Sequence, residues 1–123
     1  MNEHIQKALI IDDETEICFL LAQILKRRNI TSEYAGTITD ALIIAEAFQP
    51  NIIFVDHRLP DGLGHDVIPI LREKCPTARI IAMTAQEIFD QKTQVERCGA
   101  DFLLEKPFLV NKVYELIEGL PVS

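Results

Sequence analysis

No stretch of this 123-residue chain stays apolar for the ~20 residues that a membrane-spanning helix needs. The opening Met1-Asn2-Glu3-His4-Ile5-Gln6-Lys7 lacks the apolar core of a signal peptide. Tryptophan is missing altogether, so a binding event has no indole fluorescence to report it. Cysteine is scarce: Cys18, Cys75 and Cys98 are an odd number without CxxC spacing, which reads as reduced, structural thiols in a cytoplasmic protein. His4, His57 and His65 stand at no ligand spacing to any cysteine, so a zinc site is hard to build. Positive charge is also in short supply. Twelve Lys and Arg against 19 Asp and Glu leave a net charge of −7, which disfavours direct binding of nucleic acid and suits a protein partner or a cation. No repeat, low-complexity tract or linker interrupts residues 1–123, and they are expected to form a single domain.

What the chain does have is alternation. Short apolar segments at 7–11, 31–35, 51–56, 78–83 and 101–104 read as strands, separated by helical periodicity over about 15–28, 39–48, 65–74, 86–98 and 109–119. This pattern predicts a five-stranded parallel sheet with helices on both faces. The first, third and fourth strands are continuously apolar and belong at the centre, whereas Thr31-Ser32-Glu33-Tyr34-Ala35 is mixed and suits an edge. The first helix is expected to bury Ile17, Leu20, Leu21, Ile24 and Leu25. In the second, Ile43 and Ile44 either widen the packed face or leave an apolar patch exposed. Pro69 predicts a late or distorted start for the third helix. The segment over 86–98 is the most polar of the helices and therefore the most easily shifted.

Chemistry collects at the strand ends. Asp12 and Asp13 close the run Ala8-Leu9-Ile10-Ile11, Asp56 closes Ile52-Ile53-Phe54-Val55, Thr84 follows Ile80-Ile81-Ala82-Met83, and Lys106 follows Phe102-Leu103-Leu104-Glu105. Ligands bind at the C-terminal edge of an open parallel sheet. Carboxylates gathered there repel one another and call for a cation; oxygen ligands completed by water favour Mg2+. Each residue has a plainer explanation. Asp12-Asp13-Glu14 can cap the first helix, Asp56 can be a turn residue before Pro60, Thr84 can cap the helix over 86–98, and Lys106 can be a surface lysine. His57 reads as an exposed loop residue.

Together, Ile11-Asp12-Asp13-Glu14, Val55-Asp56, Leu59-Pro60-Asp61-Gly62 with Gly64, Met83-Thr84-Ala85, Cys98-Gly99-Ala100-Asp101 and Lys106-Pro107-Phe108 resemble the response-regulator receiver domain of two-component signalling, the chemotaxis-regulator-like fold. The resemblance covers essentially the whole chain. It implies a doubly wound, flavodoxin-like sheet of strand order 2-1-3-4-5 with five helices. It further implies Asp56 as phosphoacceptor, Asp12, Asp13, Asp56 and the Arg58 backbone carbonyl around Mg2+, Thr84 as switching hydroxyl, Lys106 as partner of the phosphoryl group, and a cis bond at Lys106-Pro107. The donor would be a sensor histidine kinase or a histidine phosphotransfer protein. Output would pass through the fourth helix, fifth strand and fifth helix, a face that also offers a phosphorylation-dependent homodimer. Such a domain is a signalling phosphoacceptor rather than an enzyme, with only slow self-dephosphorylation, whose rate Arg58 and Gln86 are expected to set. Leu103 stands where many receivers carry an aromatic switch residue. An aspartyl phosphatase would want a second acid where Arg58 stands, and a flavin carrier would not place Asp12-Asp13-Glu14 against a phosphate. Only Gly119-Leu120-Pro121-Val122-Ser123 follow the last helix, so no effector domain is expected in this chain, whether it is stand-alone or cut from a longer regulator.

Overall fold

The computed structural model describes residues 6–85 and 99–118. The elements run β1 (Lys7–Ile11), α1 (Thr15–Lys26), β2 (Thr31–Ala35), α2 (Ile38–Phe48), β3 (Ile52–Asp56), β4 (Arg58–Leu59), β5 (Gly62–Leu63), α3 (Gly64–Lys74), β6 (Arg79–Ala85), β7 (Phe102–Lys106) and α4 (Val110–Glu118). Five strands form one sheet in the order β2-β1-β3-β6-β7, every pairing parallel. Counted along the chain without the small β4–β5 ladder, this is the expected order. Four helices lie among the described residues; the helix expected over 86–98 and the residue Gln86 lie outside them.

Alternation along the central strands builds two cores. Leu9, Ile11, Ile53, Val55, Ile80 and Ala82 point to one face, where α2 and α3 cover them. Ala8, Ile10, Ile52, Phe54, Ile81 and Met83 point to the other, under α1 and α4. Side chains on a strand change face at each residue, so a run buried on both sides must be apolar throughout. The mixed strand β2 sits at the edge, as its composition demands. Leu103 and Phe102 fall on opposite faces, Leu103 against the α2–α3 core and Phe102 against the other.

The structure corrects two expectations, on Leu20 and on the start of α3, and decides between the two alternatives left open for α2. Leu20 is 44% exposed, and Cys18 takes a core position in its place. At about 100° per residue, Leu20 stands a right angle away from Leu21, outside the stripe that faces the sheet. In α2, Ile44 packs against the core while Ile43 is 64% exposed. Helix α3 starts at Gly64, not late, with Pro69 in its second turn. Packing fixes that start: the Gly64 N–H donates to the His57 carbonyl at 2.7 Å. A Cβ at Gly64 would lie 2.0 Å from the Asp56 carbonyl oxygen.

Arg72 staples α3 to the rest of the chain. Its guanidinium donates to the carbonyls of Ala78 (2.6 Å) and Gly99 (3.2 Å) and to Asp101 Oδ2 (2.8 Å), which also accepts the Ile80 N–H (2.8 Å). Arg72→Met should remove about 1–2 kcal/mol of stability. Thermal denaturation followed by circular dichroism should then show a melting temperature lower by about 5 °C.

Candidate functional site

Strand ends deliver the site residues to one edge of the sheet. Asp12 follows β1 and is almost fully enclosed; its N–H donates to the Ala35 carbonyl at 3.0 Å, and its Oδ1 accepts the Glu14 N–H at 2.9 Å. Asp13, next in the chain, is exposed. Asp56 is the last residue of β3 and only 9% exposed. Oxygens of Asp12, Asp13 and Asp56 all lie within 4.8 Å of one another.

Lys106, the last residue of β7, extends its ammonium into this cluster. Nζ lies 2.8 Å from Asp12 Oδ2, 3.0 Å from Asp56 Oδ1 and 3.2 Å from Glu14 Oε1. Residues 12, 56 and 106 thus meet at one point. The cis Lys106-Pro107 bond that the resemblance implied is present. Strand β7 runs two residues further than its apolar stretch suggested, so Lys106 belongs to the sheet and not to the loop after it. Thr84 is likewise a buried strand residue in register with Glu105, because β6 continues to Ala85. The helix that Thr84 was expected to cap lies outside the described residues. Arg58 is exposed and begins the β4–β5 ladder, opposite Leu63.

Electrostatics follow from this crowding. Burial raises the Asp56 pKa above its ordinary value, the neighbouring Asp12 charge adds to the rise, and Lys106 opposes it without cancelling it. At Lys106 burial works against the charge, but hydrogen bonds to Asp12 and Asp56 outweigh it and raise its pKa. The Cys18 thiol, which donates to the Asp12 carbonyl at 3.3 Å, is pushed up to about 11, first by burial and then by Asp12. A thiol so placed is not a nucleophile at neutral pH.

Two residues depart from expectation. His57 is half-buried, not exposed, with its ring stacked on His65 at 5.6 Å. Burial lowers its pKa, with His65 and then Arg58 adding to the effect. Glu14, assigned no site role from the sequence, is the third carboxylate on Lys106. Its one available signal was its place at the end of the acid run, and its exposure keeps that pairing weak.

A hard-oxygen donor set of this kind fits a hard divalent cation better than a soft one. The comparisons with known proteins agree in kind. A family model described as the response regulator receiver domain matches residues 8–118. The chain belongs to that family.

This receiver domain is 36% identical over 105 residues to the photosynthetic apparatus regulatory protein RegA of Rhodovulum sulfidophilum, across 85% of this chain and 57% of that protein. It is 33% identical over 114 residues to the response regulator protein PilR of Pseudomonas aeruginosa, across 91% of this chain and 25% of that one. The chain therefore spans little more than half of the first relative and a quarter of the second. A crystal structure of a response regulator from Burkholderia pseudomallei, holding a phosphorylated aspartic acid, a calcium ion and citrate, matches with a TM-score of 0.84 at 31% identity. That match covers 90% of this chain and 65% of that one. A CheY-like receiver domain protein from Methanospirillum hungatei matches with a TM-score of 0.87 at 26% identity, over 94% of this chain and 93% of that one. The chain is thus a receiver domain of the two-component response regulators, with an acidic pocket of the kind that takes a divalent cation. Among the described residues no helix is long and apolar enough to cross a membrane.

Proposed function

We propose that Asp56 is the phosphoacceptor of this receiver domain, that Asp12, Asp13, Asp56 and the Arg58 backbone carbonyl hold Mg2+, and that Lys106 pairs with the phosphoryl group. One observation carries the reading. The Lys106 ammonium touches both Asp56 and Asp12 at the spot where three carboxylates converge. A carboxylate oxygen of Asp56 attacks phosphorus while the bond from phosphorus to the donor nitrogen breaks, and the donor imidazole leaves. The Lys106 ammonium neutralises charge on the phosphoryl oxygens, so the protein contributes chiefly position and electrostatics. Bound Mg2+ would supply the remaining positive charge and orient the same oxygens. Thr84, buried one strand away from Asp56, is the hydroxyl that answers the new phosphoryl group.

The donor on this reading is a sensor histidine kinase or a histidine phosphotransfer protein, met in the cytoplasm. Residues 1–123 act as one receiver unit, not as an enzyme. Phosphorylation alters partner binding, self-association included, through β7, α4 and the segment over 86–98, which lies outside the described residues. No direct contact with nucleic acid is assigned to this domain.

Acetyl phosphate with Mg2+ should add one phosphoryl group to the wild type, read by intact-protein mass spectrometry. The addition should vanish in Asp56→Asn and on chelation with EDTA. Label that persists in the Asn variant would move the acceptor elsewhere.

A further inference from the structure

Asp61 sits at the tip of the β4–β5 hairpin, more than twenty positions along the chain from the residues it binds. Its Oδ1 accepts the Ile38 N–H at 2.8 Å, and its Oδ2 accepts both the N–H and the hydroxyl of Thr39 at 3.1 Å. Ile38 and Thr39 open α2, where N–H groups find no partner inside the helix. The helix already has a local cap, because Thr37 Oγ1 accepts the Asp40 N–H at 3.1 Å. One helix end is therefore closed twice, once by its neighbour in sequence and once by a carboxylate more than twenty residues away. The hydrogen bond from Ile38 leads the causes that hold the Asp61 pKa below its ordinary value.

Both ends of this connection lead to the acids. On one side the hairpin is rooted at Asp56: the Gly64 N–H donates to the His57 carbonyl, and Arg58 pairs with Leu63. Gly62 adopts φ +155°, and a Cβ there would stand 2.9 Å from Ile38 Cδ1, so the hairpin lies directly against α2. On the other side, the turn before α2 follows Ala35, whose carbonyl accepts the Asp12 N–H at 3.0 Å. A Cβ at Gly36 in that turn would be 3.8 Å from Asp13 Cα. The connections form a ring, from Asp56 through the hairpin and Asp61 to the start of α2, and back through Ala35 to Asp12.

We propose that Asp61 is a positioning residue that closes this ring and holds the Asp12–Asp13 side of the cation site at a fixed separation from the Asp56–Arg58 side. The proposal rests on the reading of the acid cluster as a Mg2+ site. It makes the long-range cap a part of cation binding, beyond its service to the helix.

The test uses the full chain with Asp61→Ala, Asp61→Asn and, as control, Thr37→Ala, which removes the local cap of the same helix without touching the hairpin. Mg2+ affinity is read from amide NMR shifts, and stability from thermal melts in EDTA. Asp61→Ala should weaken Mg2+ binding about tenfold, the low end for residues that support metal ligands from behind. Asp61→Asn keeps one well-placed acceptor oxygen and should fall between Asp61→Ala and wild type. Thr37→Ala should lower the melting temperature yet bind Mg2+ as the wild type does. Unchanged Mg2+ affinity in Asp61→Ala, or equal losses in Asp61→Ala and Thr37→Ala, would reduce Asp61 to an ordinary cap while leaving the Mg2+ site intact. A wild type that binds no Mg2+ would remove the site itself and the proposal with it.

Discussion

Gly64→Ala should fail to fold, or fold with a melting temperature lowered by at least about 10 °C. The added methyl would lie 2.0 Å from the Asp56 carbonyl oxygen, 3.0 Å from its carbonyl carbon and 3.0 Å from Val55 Cγ1. Two of these three atoms are backbone of a central strand and cannot swing away as a side chain does. Overpacking of a well-filled interior commonly costs about 1–3 kcal/mol, and a clash with strand backbone belongs at or beyond the top of that range. Relief requires α3 to withdraw from β3, which would also break the Gly64 N–H bond to the His57 carbonyl. Circular dichroism melts provide the measurement. A Gly64→Ala protein that melts with the wild type would mean that α3 does not press on Asp56 as described.

Asp56→Asn should make the metal-free protein more stable at neutral pH, although it abolishes phosphorylation. Burial and the Asp12 charge raise the Asp56 pKa against the pull of Lys106. A carboxyl whose folded-state pKa exceeds its unfolded value takes up its proton more readily when folded. Its stabilising contribution is present below the ordinary value of 3.8 and is lost as pH rises through the folded-state pKa. At pH 7 the ionised group is therefore a net burden. Two unit charges about 4 Å apart repel by about 1 kcal/mol even when screened as in water. For a domain of this length the expected gain in melting temperature is about 4 °C. The advantage should shrink steadily as pH falls towards the ordinary carboxylate range, where both proteins are neutral at this position. Mg2+ should reverse the ranking, because a ligand that binds the native state stabilises it in proportion to its affinity, and the Asn variant offers one charged oxygen donor fewer. Thermal melts in EDTA and in Mg2+, over a series of pH values, provide the comparison. An Asn variant less stable than wild type in EDTA at pH 7 would show that the Lys106–Asp56 attraction outweighs the crowding.

Strand identity and the acid, hydroxyl and amine at the strand ends were legible in the sequence because buried parallel strands leave little compositional choice. A run such as Ile52-Ile53-Phe54-Val55 is covered on both faces, so the first charged residue after it marks the sheet edge. Helix α1 was harder to read. Leu20 and Cys18 differ less in hydrophobicity than in angular position, and only the angle decides which one is buried. The start of α3 was not legible because Pro69 signals a local preference, while the helix begins where Gly64 fits against Asp56. The pairing of Lys106 with Glu14 and the reach of Asp61 to α2 join residues 92 and more than 20 positions apart. Their motifs were visible as turn and cap signals, but neither spacing carries a local rule.

The last helix is held unequally at its two ends. At its C-terminal end α4 is held by two guanidinium groups. Arg79 donates to the carbonyls of Leu116 (3.2 Å) and Ile117 (2.8 Å), while Arg28 pairs with Glu118 at 3.3 Å and lies 3.9 Å over the Tyr114 ring. Its other end, beside Lys106, carries Leu109 and Val110 open to solvent. Over nine residues at about 1.5 Å each, a tilt of about 5° about the held end would carry the Val110 end through about 1 Å.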